Sequence, residues 1–209
     1  MIMNHNDFII KKTDNILITG AGGFVGTRVV ETLLSYGFKN LRCLVRSNRN
    51  LSNLKNMAEQ TNAVLDFIQG NLLSYDDCAN AVKDVSVIYH LAAGVEKSFP
   101  GCFLNSVVTT RNLMDAALKS AKLKRFVNTS SIAVYTNKNI PRGGILDETC
   151  EVDTMFVEHA EAYTYGKAKQ DELVIEYGQR FNLPYVIVRP SVVFGPGKAK
   201  ITDRIGTDT

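Results

Sequence analysis

The chain of 209 residues has no tryptophan, only three histidines and four cysteines, and little excess charge of either sign, and each scarcity excludes a class of protein. Cys43, Cys78, Cys102 and Cys150 stand far apart with no Cys-x-x-Cys pair, so neither a zinc site nor a disulfide framework is indicated and reduced thiols are expected. His5, His90 and His159 are too dispersed for a local metal motif, and no metal is expected. No apolar run approaches the roughly 20 residues of a membrane span. The start, Met1-Ile2-Met3-Asn4-His5-Asn6, lacks the apolar core and cleavage site of a signal peptide. A soluble cytoplasmic protein without a membrane partner is therefore expected. The net charge of +3 is too small to point to nucleic acid, which leaves a small molecule as the expected partner.

What the chain does contain is ordinary for a folded domain: 45% hydrophobic and 22% charged residues, in a length that holds one α/β domain with a well-buried core. Short runs rich in Val, Ile and Leu alternate with helix-period segments, the pattern of βαβ units. Strands are predicted at 16–19, 41–45, 64–69, 85–90, 125–129 and 184–189, and helices at 23–36, 51–60, 74–82, 99–121 and 160–181. About six strands with crossover helices make a doubly wound parallel α/β sheet, Rossmann-like, with helices on both faces. Residues 1–13 form a polar lead-in to the domain of residues 14–209. The stretch 136–157, which contains Pro141-Arg142-Gly143-Gly144, lacks periodicity and is expected to be a loop beside the site.

Asn15-Ile16-Leu17-Ile18-Thr19 reads as a buried strand and runs directly into Gly20-Ala21-Gly22-Gly23-Phe24-Val25-Gly26 and a helix. This is the context a dinucleotide site demands, because glycines let the backbone approach a pyrophosphate whose charge meets the amides of a helix start. After the second strand, Leu44-Val45-Arg46-Ser47-Asn48-Arg49 offers no acid for ribose hydroxyls. Arg46 instead suits a 2′-phosphate through paired hydrogen bonds, so NADP is expected over NAD. Thr129-Ser130-Ser131 sets hydroxyls at the carboxyl end of a strand, where such sheets bind ligands. In Tyr163-Thr164-Tyr165-Gly166-Lys167 a tyrosine and a lysine four apart share a helical face, where an ammonium stabilises a phenolate. Tyr165 and Lys169 repeat that spacing, so the pattern alone leaves two pairs.

Written as Thr-Gly-x-x-Gly-x-x-Gly over Thr19, Gly20, Gly23 and Gly26, the turn resembles that of the extended short-chain dehydrogenase/reductase superfamily of NAD(P)-dependent epimerases, dehydratases and reductases. The compact subclass would want glycine at Phe24. Gly70-Asn71-Leu72 resembles the Gly-Asp-Leu whose acid contacts adenine, and the amide oxygen of Asn71 is expected to accept from the adenine amino group in its place. His90-Leu91-Ala92-Ala93 resembles the His-x-Ala-Ala that leaves room for cofactor at a strand end. Thr110-Arg111-Asn112-Leu113-Met114 resembles the central helix, with the family's upstream asparagine falling on Ser106 by strict spacing and Asn105 one residue earlier. Ile132-Ala133-Val134-Tyr135 resembles the family's sequence after its catalytic serine or threonine, a role that falls on Ser131, with Ser130 as a strand-end hydroxyl. The Asp-Glu pair of the 4,6-dehydratase branch is absent from Ser131, Ile132 and their neighbours, so that water elimination is not expected.

The family's spacing also separates the two tyrosine–lysine pairs. From Lys167, an acid four residues on, then Leu-Pro and Arg-Pro, reaches Asp171, Leu183-Pro184 and Arg189-Pro190, whereas counting from Lys169 reaches Leu173 and loses register. The resemblance thus implies Ser131, Tyr163 and Lys167 as catalytic residues, with Gly166 where serine is usual. It implies cofactor contacts from Thr19, Gly20, Gly23, Phe24, Val25, Gly26, Arg46, Asn71, Leu72, Leu91, Ala92, Ala93, Tyr163, Lys167 and Pro190. Val192-Val193-Phe194-Gly195-Pro196-Gly197 resembles the family's segment at the substrate cleft. The implied function is hydride transfer on a nucleotide sugar or related alcohol or carbonyl compound. Such proteins continue about another hundred residues, so most of the substrate-binding subdomain is expected to be missing. A noncatalytic NAD(P)-binding module for regulation or assembly is the alternative, and a homodimer is compatible with the resemblance.

Overall fold

The computed structural model describes residues 8–47, 51–94, 96–136, 139–155 and 161–196. Residues 1–7 of the lead-in, Asn48, Arg49, His159, Ala160, Gly197 and residues 137–138 and 156–157 of the expected loop lie outside them.

Six strands, β1 (Asn15–Thr19), β2 (Asn40–Val45), β3 (Val64–Gln69), β4 (Val85–His90), β5 (Arg125–Thr129) and β6 (Tyr185–Val188), form one sheet in the order β3-β2-β1-β4-β5-β6. Every pairing is parallel. The chain winds outward from β1 to β3, then returns beside β1 as β4 and winds the other way. The strand order reverses between β1 and β4, the place where doubly wound sheets bind ligands in a crevice at the carboxyl ends of the strands. Central β1 is a continuous apolar run because both its faces are covered, whereas edge strand β3 alternates between half-buried and exposed residues.

Side chains alternate across β1, so Ile16 and Ile18 join one core and Leu17 the other. The first core holds α1 (Phe24–Ser35) and α2 (Ser52–Thr61) through Val30, Leu33, Leu34 and Leu54. The second holds α3 (Tyr75–Ala81), α5 (Thr109–Ala117) and α6 (Ala162–Phe181) through Cys78, Ala81, Leu113, Met114, Val174 and Tyr177. The lead-in is less polar in practice than in composition, since Phe8 packs edge-on against Phe38 with ring centroids 5.2 Å apart.

The helix expected over 99–121 is instead α4 (Phe99–Cys102), a π-helical turn at Phe103–Val108 and α5, ending at Ala117. Bonds from Lys119 N–H to Ala116 O and from Ser120 N–H to Ala117 O tighten the chain there and stop the helix. The expected loop after Thr136 holds one antiparallel bridge, Tyr135 to Val152, among its described residues.

Candidate functional site

Two glycines of the first turn, Gly20 and Gly26, are required by close approaches. Gly20 has a φ of +72°, and a Cβ there would meet the Ala92 amide nitrogen at 2.9 Å. A Cβ on Gly26 would stand 2.1 Å from Gly20 O, so no larger residue lets α1 start so near the turn. Gly23 caps α1 with no side-chain hydrogen bond, and a helix start of this kind suits an anion. Phe24, Val25 and Gly26 open that helix, and Phe24 reaches toward the segment after β6, where a Cβ on Gly195 would lie 3.4 Å from its Cζ. These features fit a dinucleotide pyrophosphate.

From Thr19, at the end of β1, a buried polar chain crosses the core. The Ala92 amide donates to Thr19 Oγ1 at 3.2 Å, and Thr19 Oγ1 lies 2.8 Å from His90 Nδ1. His90 Nε2 lies 2.8 Å from Thr110 Oγ1, which also accepts from Gln170 Nε2 at 2.7 Å. Thr110 spends its own proton on Ser106 O in the π-helical turn, so His90 donates to it through Nε2. Full burial pushes His90 down to about 3, with Lys167 adding to the shift, so the ring is neutral and Nδ1 accepts from Thr19. Ser106 is buried in this chain, while Asn105 turns to Gly101 O and Glu96.

The chain ends on Lys167. Its Nζ donates to Thr129 O at 2.7 Å and to Gln170 Oε1 at 3.0 Å, and the residue is 3% exposed. Burial pushes the ammonium down to about 8, with Asp171 pulling the other way. Lys169 lies across the helix in an exposed pair with Glu172, and the Tyr165 ring packs against Phe99 with centroids 5.4 Å apart. The overlapping pairs thus occupy different environments. Tyr163 is half-buried in the first turn of α6, and the absence of a side chain at Gly166 is explained by its neighbour: a Cβ there would sit 3.1 Å from Cys102 Cβ and O. Gly166 lets α6 close on α4.

The lysine gives a pH signature with a definite sign. Its folded pKa lies below the ordinary 10.5, so between about pH 8 and 10.5 the unfolded chain holds a proton that the folded chain has released. Stability from this group therefore rises with pH across that window, by ~3 kcal/mol in all. Urea unfolding of wild type and Lys167→Met at pH 7 and pH 10 should show wild type gaining on the variant at the higher pH. An unchanged difference between them would sink the assignment of a buried, charged Lys167.

One turn beyond the lysine, Asp171 fastens α6 to two strand ends. It accepts from Asn128 at 3.1 Å, Ser130 Oγ at 2.8 Å and Arg189 Nε at 2.9 Å, and Arg189 continues to Tyr135 Oη at 2.6 Å. Burial pushes the carboxyl up, opposed by Ser130, Arg189 and Lys167. Pro190 O takes the Ile132 amide at 3.2 Å, and Ser131 Oγ accepts from Ala133 N–H at 3.2 Å as it caps the short 3-10 turn Ile132–Val134. Thr129, Ser131, Lys167 and Pro190 are thereby held around the ends of β5 and β6.

At the other side of the crevice Arg46, Gln69, Gly70, Asn71 and Asp77 line an open hollow of about 610 Å³. Arg46 is exposed there, at the end of β2. The Oδ1 of Asn71 accepts from Leu73 N–H at 3.0 Å, closing a local turn, and keeps a second lone pair for a further donor. Leu72 is buried, while Leu91, Ala92 and Ala93 follow β4 with graded exposure at the crevice. Another hollow, lined by Asn15, Asn40, Arg42 and Asp66, lies at the opposite, amino-terminal ends of the strands.

Gln170 and the links of Thr19, His90 and Thr110 were not expected from the sequence. Gln170 carried one signal, its position three residues after Lys167 on the same helical face. Among the described residues no group of three or more His, Cys, Asp or Glu could hold a metal, and no helix is long and apolar enough to cross a membrane.

A family model described as the NAD dependent epimerase/dehydratase family matches residues 16–206. Cinnamoyl-CoA reductase 1 of Petunia hybrida is 30% identical over 188 residues, covering 87% of this chain and 55% of that protein. A trifunctional UDP-glucose 4,6-dehydratase/UDP-4-keto-6-deoxy-D-glucose 3,5-epimerase/UDP-4-keto-L-rhamnose-reductase of Arabidopsis thaliana is 28% identical over 199 residues, 90% of this chain and 29% of that one. Among solved structures, UDP-glucuronic acid 4-epimerase from Bacillus cereus in complex with NAD matches with a TM-score of 0.70 and 26% identity, over 87% of this chain and 57% of that one. The chain spans about half the length of the reductase and of the 4-epimerase.

Proposed function

Because the chain belongs to the NAD-dependent epimerase/dehydratase family, we propose that it is an NAD(P)-dependent oxidoreductase or epimerase that uses Ser131, Tyr163 and Lys167 on a nucleotide sugar or related alcohol or carbonyl compound. The observation that carries the reading is Lys167: a buried ammonium on Thr129 O, one turn from Tyr163 and beside the strand end that leads to Ser131.

A nicotinamide dinucleotide supplies the hydride acceptor or donor when bound. Gly20, Gly23 and the opening of α1 would hold its pyrophosphate, with buried Thr19 bracing the turn through the Ala92 amide. Toward the substrate, the Ser131 hydroxyl holds the reacting oxygen by a hydrogen bond. Tyr163 takes the hydroxyl proton in oxidation and returns one to the carbonyl oxygen in reduction. Lys167 favours the phenolate by its charge, a contribution that fades as pH rises past about 8 and its proton leaves. Relatives include a 4,6-dehydratase, but the carboxylate pair that elimination needs is missing at Ser131 and Ile132, so hydride transfer with a keto product or intermediate is the favoured chemistry.

Arg46, exposed on the hollow beside Asn71, supports NADP as the cofactor. NADPH is expected to bind tighter than NADH, and Arg46→Ala to weaken NADPH about tenfold with little effect on NADH, as for one charge-assisted hydrogen bond. Titration by nicotinamide fluorescence measures both, and tight NADH binding with none for NADPH would sink the preference. Hydride-transfer assays across nucleotide sugars, simple ketones and an aromatic acyl-CoA thioester then test the reaction. Binding without turnover of any of them would favour a noncatalytic module.

A further inference from the structure

We infer that Gln170 is a positioning residue for Lys167: it accepts from the ammonium, donates to Thr110, and so holds Lys167 on Thr129 O with one of its three protons unspent. It rests on the reading of Lys167 as the ammonium that serves Tyr163, and names the residue that governs it.

Both ends of the Gln170 amide are fixed by their partners. An ammonium only donates, so the arm 3.0 Å from Lys167 Nζ is Oε1, and the other arm, 2.7 Å from Thr110 Oγ1, is Nε2. Thr110 requires the same assignment independently. Its proton goes to Ser106 O, which leaves its two lone pairs for Gln170 and for His90 Nε2. Gln170 and Thr110 are 0% exposed, and the two residues Lys167 and Gln170 stand three apart on one face of α6.

A glutamine buried this deeply costs free energy unless both its ends are bonded, whereas a leucine would fill similar space with no polar group to satisfy. What a leucine lacks is an acceptor for Lys167. A buried ammonium that loses one of its two acceptors sheds its proton more readily, because hydrogen bonds to the charged form offset its burial. Its surroundings do not replace that acceptor. Asp171 attracts it from the same helix but accepts from Asn128, Ser130 and Arg189, and His90 on β4 is neutral. Tyr163 stands one turn earlier on α6. On the elements packed against α6, Cys102 faces Gly166, Tyr185 faces Gly178, and Arg111 and Asp115 stand at Tyr177, farther along the helix.

The test is the titration of Lys167 in the free chain, followed by NMR of carbon-labelled lysine side chains, its signal identified by its loss in Lys167→Met. Gln170→Met keeps the length of the side chain and removes both hydrogen bonds, and should lower the midpoint by about one pH unit, the worth of one hydrogen bond to a charged group. Gln170→Glu returns an acceptor and adds a negative charge, and should raise the midpoint by about as much. Opposite shifts mark a residue that acts through the ammonium, since damage to packing moves both variants alike. Shifts below about 0.3 pH unit in both, or in the same direction, overturn the inference. Should Gln170→Met not fold, Gln170→Glu decides alone, and an unmoved or lowered midpoint overturns it. In hydride transfer, the kcat lost by Gln170→Met should grow as pH rises, whereas a loss equal at every pH overturns the positioning role. Fluorescence titration with NADPH tests the cofactor reading separately: opposite shifts without dinucleotide binding would overturn that reading and leave the hold of Gln170 on Lys167 standing.

Discussion

Asp171→Ala is expected to lower the free energy of unfolding by ~3–5 kcal/mol, since it removes one partner of a buried charge pair and leaves the others without acceptors. Among the described residues Arg189 would keep only Tyr135, and Asn128 and Ser130 would lose the carboxylate that ties the end of β5 to α6. The charge involved is well shielded from water, as the Asp171 and Arg189 side chains are 5% and 18% exposed. Asp171→Asn, which preserves shape and one acceptor, should cost less, about 1.5–3 kcal/mol for weakening hydrogen bonds to a charged group. Urea unfolding followed by circular dichroism reads both. A loss under ~1 kcal/mol for the alanine variant would show that the cluster is hydrated rather than buried. The same variant should weaken cofactor binding, because the strand end it releases also carries Thr129 O, the acceptor for Lys167.

Tyr163→Phe is expected to reduce the hydride-transfer rate about 10²–10⁴-fold, the range for removal of a positioned acid–base. Dinucleotide affinity should change little, because the glycine turn and Lys167 are untouched. The informative control is Tyr165→Phe. Tyr165 has the same spacing to Lys169 as Tyr163 to Lys167, but its ring is packed against Phe99 and Phe103. Loss of its hydroxyl should leave the rate within a few-fold of wild type. Single-turnover assays with whichever substrate wild type accepts compare the two. Equal rates for Tyr163→Phe and wild type would remove Tyr163 from the mechanism, and a large loss for Tyr165→Phe alone would transfer the role to it.

The elements that could be read in advance are those whose cause is local. β1, β4 and β5 follow from unbroken or alternating apolar runs, and the observed bounds of β3, β4 and β5 coincide with the expected ones. The helices over 99–121 could not be read in the same way. Their periodicity is helical throughout, and nothing in it marks the π-helical turn at Phe103–Val108, at which Ser106 O collects the hydroxyls of Thr109 and Thr110. Gly166 in place of the usual serine looked like a mere departure, and its reason lies in a neighbour some sixty residues away, Cys102. The local bond of Asn71 was not readable either, because its Oδ1 accepts from Leu73 N–H only in the turn that the two close.

The sequence by itself determined the fold class, the family and the residues on which a nucleotide and a reaction are to be sought. Those depend on backbone requirements and spacing: glycines where α1 starts against β1, small residues after β4, and a tyrosine and lysine one helical turn apart. Only the tertiary structure decided how those residues are held. It joined Thr19, His90, Thr110, Gln170 and Lys167 into one buried chain, fixed His90 as a neutral Nε2–H tautomer, and separated Lys167 from the exposed Lys169. The physical reason is that a hydrogen bond's direction and a charge's burial belong to neighbours brought together by the sheet, from strands and helices far apart in the chain, and no local pattern carries that information.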